Sequence, residues 1–101
     1  MRREIVVRPE ASAEAMDAAH WYDGRVIGLG LRFLGELDDA IETIRNDPGR
    51  FPRYHNEIRR IHLRSFPYGV FFAMTDAQVA ILAVFHLQRD PRLMRRTLRR
   101  R

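Results

Sequence analysis

The stretch FPYGVFFAMTDAQVAILAVFHLQRDP, residues 66–91, decides the fold of this chain. Its two apolar runs, residues 68–74 and 78–86, predict two β-strands, and Thr75 and Asp76 predict the short turn that joins them. The second run is apolar on both faces, so we place it in the interior of the sheet, with a helical layer over one side. Neighbouring strands joined by so short a turn are antiparallel.

A third strand, from Glu57 up to Pro67, precedes this stretch. Basic and apolar residues alternate along it, as is typical of a strand with one buried face: Arg60, His62 and Arg64 lie on one side, Ile61 and Leu63 on the other. His86 and Arg89 follow the apolar strand. If the sheet is antiparallel, these two groups of residues line one concave, basic side of it. Residues 47–54, with two prolines and a glycine, predict a loop.

The N-terminal half predicts a short edge strand and two helices. Residues 4–8 contain three consecutive β-branched side chains and end at Pro9, which cannot extend a ladder. Ser12 is the predicted cap of the first helix. Apolar side chains recur every three or four residues, at Ala15, Ala19, Tyr22, Val26 and Leu29 in the first helix and at Phe33, Leu37, Ala40, Ile41 and Ile44 in the second. Gly28 and Gly30 predict a tight turn between the helices.

These elements predict an α+β fold with the order β-α-α-β-β-β, in which an N-terminal helical hairpin packs on a small, mainly antiparallel sheet. A chain of 101 residues is expected to form one domain, residues 1–101. A short helix at residues 92–97 is predicted after the last strand, and the arginines around it have two interpretations, a solvated, frayed tail or a surface for an acidic partner.

The composition excludes several classes of protein. The chain has no cysteine and four scattered histidines, so we expect neither disulfides nor a metal site, and no cofactor. Its charged N-terminus and short apolar runs predict neither a signal peptide nor a membrane span, and hence a cytoplasmic protein. The net charge is +5, and all 18 basic residues are arginine. Guanidinium groups fork onto carboxylate or phosphate, which suits an acidic protein or a nucleic acid as partner.

Several short motifs occur in a specific order along the chain. Phe66-Pro67-Tyr68 precedes the apolar strand, H-x-x-R-D-P at residues 86–91 follows it, and the N-terminal half has Trp21-Tyr22 and then Leu29-Gly30 with Phe33 three residues later. In this order they resemble the RelE/ParE superfamily, the toxins, or plasmid stabilisation proteins, of bacterial type II toxin–antitoxin systems. The resemblance implies the RelE-like fold, and F-P-Y and H-x-x-R-D-P are most similar to the ParE-like branch.

The ParE-like branch implies a toxin that acts by binding, because its members poison DNA gyrase and need no catalytic group of their own. The resemblance also implies a small acidic antitoxin that holds the toxin inactive in a hetero-oligomer. The residues that we expect to bind antitoxin or target are Arg60, His62, Arg64, Arg89, Arg95, Arg96 and Trp21. Trp21 has a second interpretation, in which it packs over the edge of the helical hairpin.

The RelE-like branch implies an enzyme instead, a ribosome-dependent endoribonuclease that cuts messenger RNA. Its candidate residues are His86, Arg60, Arg64, Arg89 and Tyr68, with the arginines holding phosphate, His86 moving a proton and Tyr68 donating one. The chain departs from this branch because it has no lysine, and arginine is a poor base. Structural roles are the alternative for both rings: His86 bonds to the following turn, and Tyr68 packs at the start of its strand. A member of the superfamily without toxicity is a third possibility.

Overall fold

The computed structural model describes residues 3–101. It contains a five-stranded mixed sheet with helices on both faces. In chain order the elements are β1 (Glu4–Val7), α1 (Pro9–Asp23), α2 (Leu29–Asn46), a 3-10 turn (Pro48–Arg50), β2 (Arg53–His55), β3 (Ile58–His62), β4 (Tyr68–Met74), β5 (Gln78–His86) and α3 (Pro91–Arg99). The predicted α+β fold is confirmed, and so is the short helix predicted after the last strand, which is α3; β2 is added to the predicted order. Met1 and Arg2, which belong to the predicted domain of residues 1–101, lie outside the described residues.

The strands lie in the order β1-β5-β4-β3-β2 across the sheet. β1 runs parallel to β5, and the other neighbouring strands pair antiparallel. β1 is therefore an edge strand and β5 an interior one, as their sequences predict. The two faces have separate cores. The helical hairpin buries Phe33 and Ile44 against Val70, Phe72 and Ile81, and α3 buries Met94 and Leu98 against Phe71 and Phe85.

Helix α1 begins and ends earlier than the sequence pattern indicates. It begins at Pro9, because the fixed φ of proline suits the first helical position, and no side chain caps it. Ser12 therefore lies inside the helix, and the prediction that it caps the helix is wrong. The helix ends at Asp23, so Val26 lies beyond it and is exposed instead of belonging to the apolar face.

The predicted loop of residues 47–54 contains regular structure, so that prediction is wrong. The 3-10 turn lies there together with the start of β2, which pairs with β3 across an irregular register. Asn56 turns the chain between these strands with φ 51°, a left-handed conformation that asparagine tolerates better than most residues. Three residues beside Pro52 form too short an alternation to indicate a strand from sequence.

The C-terminal arginines do not form a frayed tail. Asp90 accepts a 2.9 Å hydrogen bond from the Arg92 amide and so caps α3, and Pro91 occupies the first helical position. Met94 and Leu98, four residues apart, give this arginine-rich helix one apolar stripe. That stripe packs on the sheet and holds the segment in place.

Two glycines, Gly28 and Gly30, allow the tight turn between α1 and α2. Gly28 turns the chain with φ 90°, and α2 begins at Leu29. Gly30 then lies so close to α1 that a Cβ atom there would collide with the carbonyl oxygen of Ala19 and lie 2.8 Å from the carboxylate of Asp23. That carboxylate accepts a 2.7 Å hydrogen bond from the Gly30 amide, which satisfies one of the free N–H groups at the start of α2.

We expect Gly30→Ala to lower the free energy of unfolding by about 1–3 kcal/mol, because the obstacle is the backbone of α1. Gly35→Ala is the matched control. It also lies in α2, an added Cβ there meets nothing within 4 Å, and alanine should raise stability by about 0.5–1 kcal/mol. Urea unfolding followed by circular dichroism measures both changes. A Gly30→Ala protein as stable as the wild type would contradict the close approach of the helices.

Candidate functional site

A cleft at the end of β5 gathers several of the residues predicted for the site. It has a volume of about 320 Å³ and lies between α1 and the end of the sheet. Four predicted residues line it: Trp21, Tyr68, His86 and Arg89. The rings of Tyr68 and His86 meet edge to face with their centroids 5.1 Å apart. We call this site the His86 cleft.

A bulge in β5 decides which way His86 faces. The pairing register between β4 and β5 shifts between Phe71 and Phe72, which leaves Leu82 without a partner across the ladder. Side chains alternate between the two faces of a strand, and one extra residue reverses that alternation from there on. Without the bulge, the alternation would place His86 on the same face of the sheet as Leu82, which is the face covered by α3. With the bulge, His86 lies on the face that the hairpin covers, against Tyr68.

Local hydrogen bonds hold His86 in the turn after β5. Its Nδ1 atom accepts a 3.1 Å hydrogen bond from the Gln88 amide, and its carbonyl oxygen accepts one of 3.1 Å from the Arg89 amide. Because Nδ1 is an acceptor here, the neutral imidazole carries its proton on Nε2. These bonds are the structural role that the sequence offers as the alternative to catalysis.

Tyr68 is also built into the core. Its ring packs against those of Tyr22 and Phe33, at centroid distances of 6.2 and 5.1 Å. Burial raises the pKa of Tyr68, and the nearby charge of Arg89 opposes this effect without reversing it. The phenol is therefore a weaker acid than a free tyrosine.

Two carboxylates that the predicted site does not include also line the His86 cleft. They are Glu14 and Asp17, on the side of α1 that carries Trp21. The signal for them is present in the sequence, because residues three and seven positions apart share one helical face. The cleft therefore combines negative charge on α1 with the positive charge of Arg89.

Glu14 accepts a backbone hydrogen bond at the edge of β5 that no neighbouring strand covers. β1 pairs with β5 no further than Ile81, so the strand's edge beyond that residue has no neighbouring strand. There the Glu14 carboxylate accepts a 3.1 Å hydrogen bond from the Val84 amide, while the Arg101 guanidinium donates one of 3.0 Å to the Leu82 carbonyl. Arg101 and Glu14 also form a bidentate ion pair, with both N···O distances 2.9 Å.

Arg60 lies on the opposite face of the sheet from His86. Its guanidinium carbon lies 4.5 Å from the centroid of the Tyr54 ring and 5.9 Å from that of Phe71. Phe71 belongs to the core under α3, where its ring centroid lies 5.3 Å from that of Phe85. Arg60 therefore packs on the α3 face of the sheet.

Two further arginines lie against Phe85, the ring that packs on Phe71. The guanidinium carbons of Arg89 and Arg101 lie 4.7 and 5.4 Å from the centroid of Phe85. Arg89 stands at the end of the sheet, where it also lines the His86 cleft. Arg60 and Arg89 thus flank one aromatic pair, while His86 faces away from Arg60.

His62 and Arg64 are exposed at the same end of the sheet as His86, at and just after the end of β3, two strands from β5. Partial desolvation, and to a lesser degree the charge of Arg60, lower the pKa of His62. Arg64 lies near Glu36 of α2, whose carboxylate accepts a 2.6 Å hydrogen bond from the Ser65 amide. Burial acts to raise the pKa of Glu36, but this hydrogen bond and the Arg64 charge bring it below its usual value.

The sheet therefore divides the residues named for ribonuclease chemistry. His86, Tyr68 and Arg89 meet in the His86 cleft, whereas Arg60 lies across the sheet and Arg64 lies near α2. The single concave side expected to hold all of these residues is not present. Of the remaining predicted binding residues, Arg95 and Arg96 belong to α3, and Trp21 borders the cleft.

An exposed apolar surface lies at the turn of the hairpin. Trp21, Val26, Ile27 and Leu31 are each more than half exposed, and Ile27 reaches 97%. The guanidinium of Arg25 stacks over Trp21 at 4.4 Å from the ring centroid. The helical pattern places Val26 on a buried face, so the sequence alone does not indicate this surface. We call these four apolar residues the hairpin patch.

Two kinds of site are absent from residues 3–101. No group of three or more His, Asp or Glu residues there is placed to hold a metal ion. No helix in that range has the length and apolar character needed to cross a membrane.

Comparisons with known proteins agree with the geometry. A family model described as the ParE toxin of type II toxin–antitoxin system, parDE, matches residues 5–91. Among solved structures, the chain is similar to one of a chromosomal ParDE toxin–antitoxin system from P. aeruginosa, with a TM-score of 0.76 and 11% sequence identity, covering 86% of this chain and 98% of that one. At this identity the likeness shows the fold alone. No curated protein sequence matches the chain.

We expect Arg101→Ala to lower the free energy of unfolding by about 2–4 kcal/mol, because Glu14 would keep its charge in a largely buried position without its partner. The two side chains are 13% and 21% exposed. Arg100→Ala is the matched control; that side chain is exposed, and the change should be below about 0.5 kcal/mol. Chemical denaturation of both variants measures the difference. Equal stability of the two would contradict the structural role of the ion pair.

Proposed function

The chain belongs to the ParE toxin family of type II toxin–antitoxin systems, and from that premise we propose that it acts by binding other proteins. A cognate antitoxin holds it inactive, and the released toxin binds and poisons DNA gyrase. Both events take place in the cytoplasm, and such a pair would serve to stabilise a plasmid. The observation that carries the proposal is the position of Arg60 and His86 on opposite faces of the sheet.

Cleavage of a phosphodiester needs a base, cations and an acid around one phosphate. Here the Nδ1 atom of His86 already accepts a hydrogen bond, and burial makes Tyr68 a weaker acid. The carboxylate of Asp17 lines the same cleft and would repel a phosphate that entered it, while the Glu14 carboxylate is already paired with Arg101. These three features favour binding over RNA cleavage.

The hairpin patch is the proposed centre of the antitoxin interface. Protein interfaces have an apolar core, and a tryptophan is a common anchor of the binding energy. Trp21 is 55% exposed at this position. Arg25 and Arg32 are exposed beside the patch and would attract the carboxylates of an acidic antitoxin. An antitoxin segment that becomes ordered on binding would reach the His86 cleft from there, as a helix or as a strand added at the open edge of β5.

The basic side of the sheet is the proposed surface for the target. Arg60 and Arg89 flank the aromatic pair under α3, and Arg95 and Arg96 extend the positive charge along that helix. The exposed residues His62 and Arg64 continue the polar surface on β3, at the end of the sheet where Arg89 also lies. Charge of one sign over a surface raises the rate of encounter with an acidic partner.

We expect the purified protein to inhibit supercoiling of plasmid DNA by gyrase and to increase gyrase-dependent DNA breakage. The antitoxin, sought in a small acidic reading frame next to the gene, should restore supercoiling when it is added in equal amount. Relaxation by a type I topoisomerase on the same plasmid is the control, and it should not change. Gyrase that stays fully active at an excess of the protein would reject this function.

Ribosome-dependent cleavage of messenger RNA is the alternative function. One observation favours it, namely that Tyr68, His86 and Arg89 meet in a single cleft. Primer extension on transcripts from an induced culture distinguishes the two functions. Cuts in phase with codons would establish the enzyme, whereas intact transcripts together with inhibited gyrase would establish the binding toxin.

A further inference from the structure

Helix α3 presents a row of arginines on the side that faces away from the sheet. Its apolar side chains Met94 and Leu98 are each 2% exposed and pack against the sheet. The opposite side carries five arginines at the spacing of one helical face: Arg92, Arg95, Arg96, Arg99 and Arg100. We call these five residues the arginine face.

Acidic residues neutralise little of this charge. Arg92 lies 3.6 Å from the Asp90 carboxylate, in a pair that is largely exposed. Glu10 of α1 shares a cleft with Arg96 but forms no ion pair with it. Among the described residues, no carboxylate lies within ion-pair distance of the four other arginines of this face. Residues 58–101 contain ten arginines and two acidic residues, a net charge of +8, whereas the whole chain has +5.

The chemistry of the arginine face suits phosphate better than a protein surface. Interfaces between proteins are also enriched in arginine, but they have an apolar core, whereas interfaces with nucleic acid are polar and positively charged. Leu93, 42% exposed, is the one large apolar side chain that α3 exposes. Guanidinium groups bind phosphate oxygens in bidentate fashion. The hairpin patch, in contrast, offers the apolar core that a protein partner needs.

The arginine face is long enough to reach several phosphates of a DNA duplex. From Arg92 to Arg99 a helix rises about 10 Å, and the same length of duplex carries about six phosphate charges. We infer that the arginine face binds the phosphate backbone of double-stranded DNA without reading its base sequence. The choice of DNA over RNA rests on the proposed function, because gyrase acts on duplex DNA. Because α3 is packed on the sheet, binding requires no folding of the helix.

Fluorescence anisotropy with a short labelled duplex and the purified full-length chain tests this inference in the absence of gyrase. The logarithm of the binding constant should fall with the logarithm of salt concentration, by about 0.9 for each phosphate contact. The variant R96Q/R99Q/R100Q should have a slope shallower by about 2–3 and should bind about tenfold or more weakly at low salt. R45Q/R50Q/R53Q is the matched control, which removes the same charge from arginines outside α3 to which no binding role is assigned, and it should bind nearly as the wild type does.

An equal loss of affinity in the two variants would mean that net charge alone attracts DNA, and it would overturn the inference. Absence of DNA binding by the wild type, or tighter binding to a single-stranded RNA of the same length, would overturn it as well. Circular dichroism checks that both variants fold. If R96Q/R99Q/R100Q does not fold, the single variant R99Q replaces it, and its salt dependence should be shallower than that of the wild type by about 0.9. Gyrase poisoning without DNA binding would reject this inference and keep the proposed function. DNA binding without gyrase poisoning would keep this inference and reject the proposed function.

Discussion

The burial of β5 on both of its faces is the constraint on which the rest of the structure depends. Val79, Ile81 and Val84 pack under the helical hairpin, and Ala83 and Phe85 pack under α3. Because apolar side chains on both sides of a strand must be removed from water, the chain has to supply a layer of helix for each face. The sheet then stands between two surfaces with different chemistry. The hairpin side holds an aromatic and partly acidic cleft, and the α3 side holds the arginines.

Two local features turn this layered fold into the observed surface. The extra residue Leu82 reverses the alternation of β5, so His86 turns towards Tyr68 and away from Arg60. The Glu14–Arg101 ion pair satisfies the β5 edge where β1 no longer covers it, and it ties the end of the chain to α1. The first feature separates groups that a ribonuclease would bring together. The second satisfies the β5 edge at Leu82 and Val84.

Much of this fold is predictable from local patterns, but the site is less so. The apolar runs of β4 and β5 and the helical spacing from Phe33 to Ile44 are long enough to identify their elements, and the motif order indicates the family. β2 has three residues and Ser12 competes with Pro9 for the start of α1, so neither could be assigned correctly from a pattern. A one-residue bulge leaves no mark in an apolar run, yet it moves His86 to the other face of the sheet. The partnership of Glu14 with Arg101 joins residues at opposite ends of the chain, and such a pair is visible only in three dimensions.

We propose that the protein acts by binding and that His86 has a structural role at the end of β5 and in the turn that follows. The most direct measurement compares growth arrest after induction of the wild-type chain and of His86→Ala, at matched amounts of folded protein. The hydrogen bonds of His86 are local to its turn, so the two should arrest growth equally. A folded His86→Ala protein that still binds its antitoxin but no longer arrests growth would contradict the account.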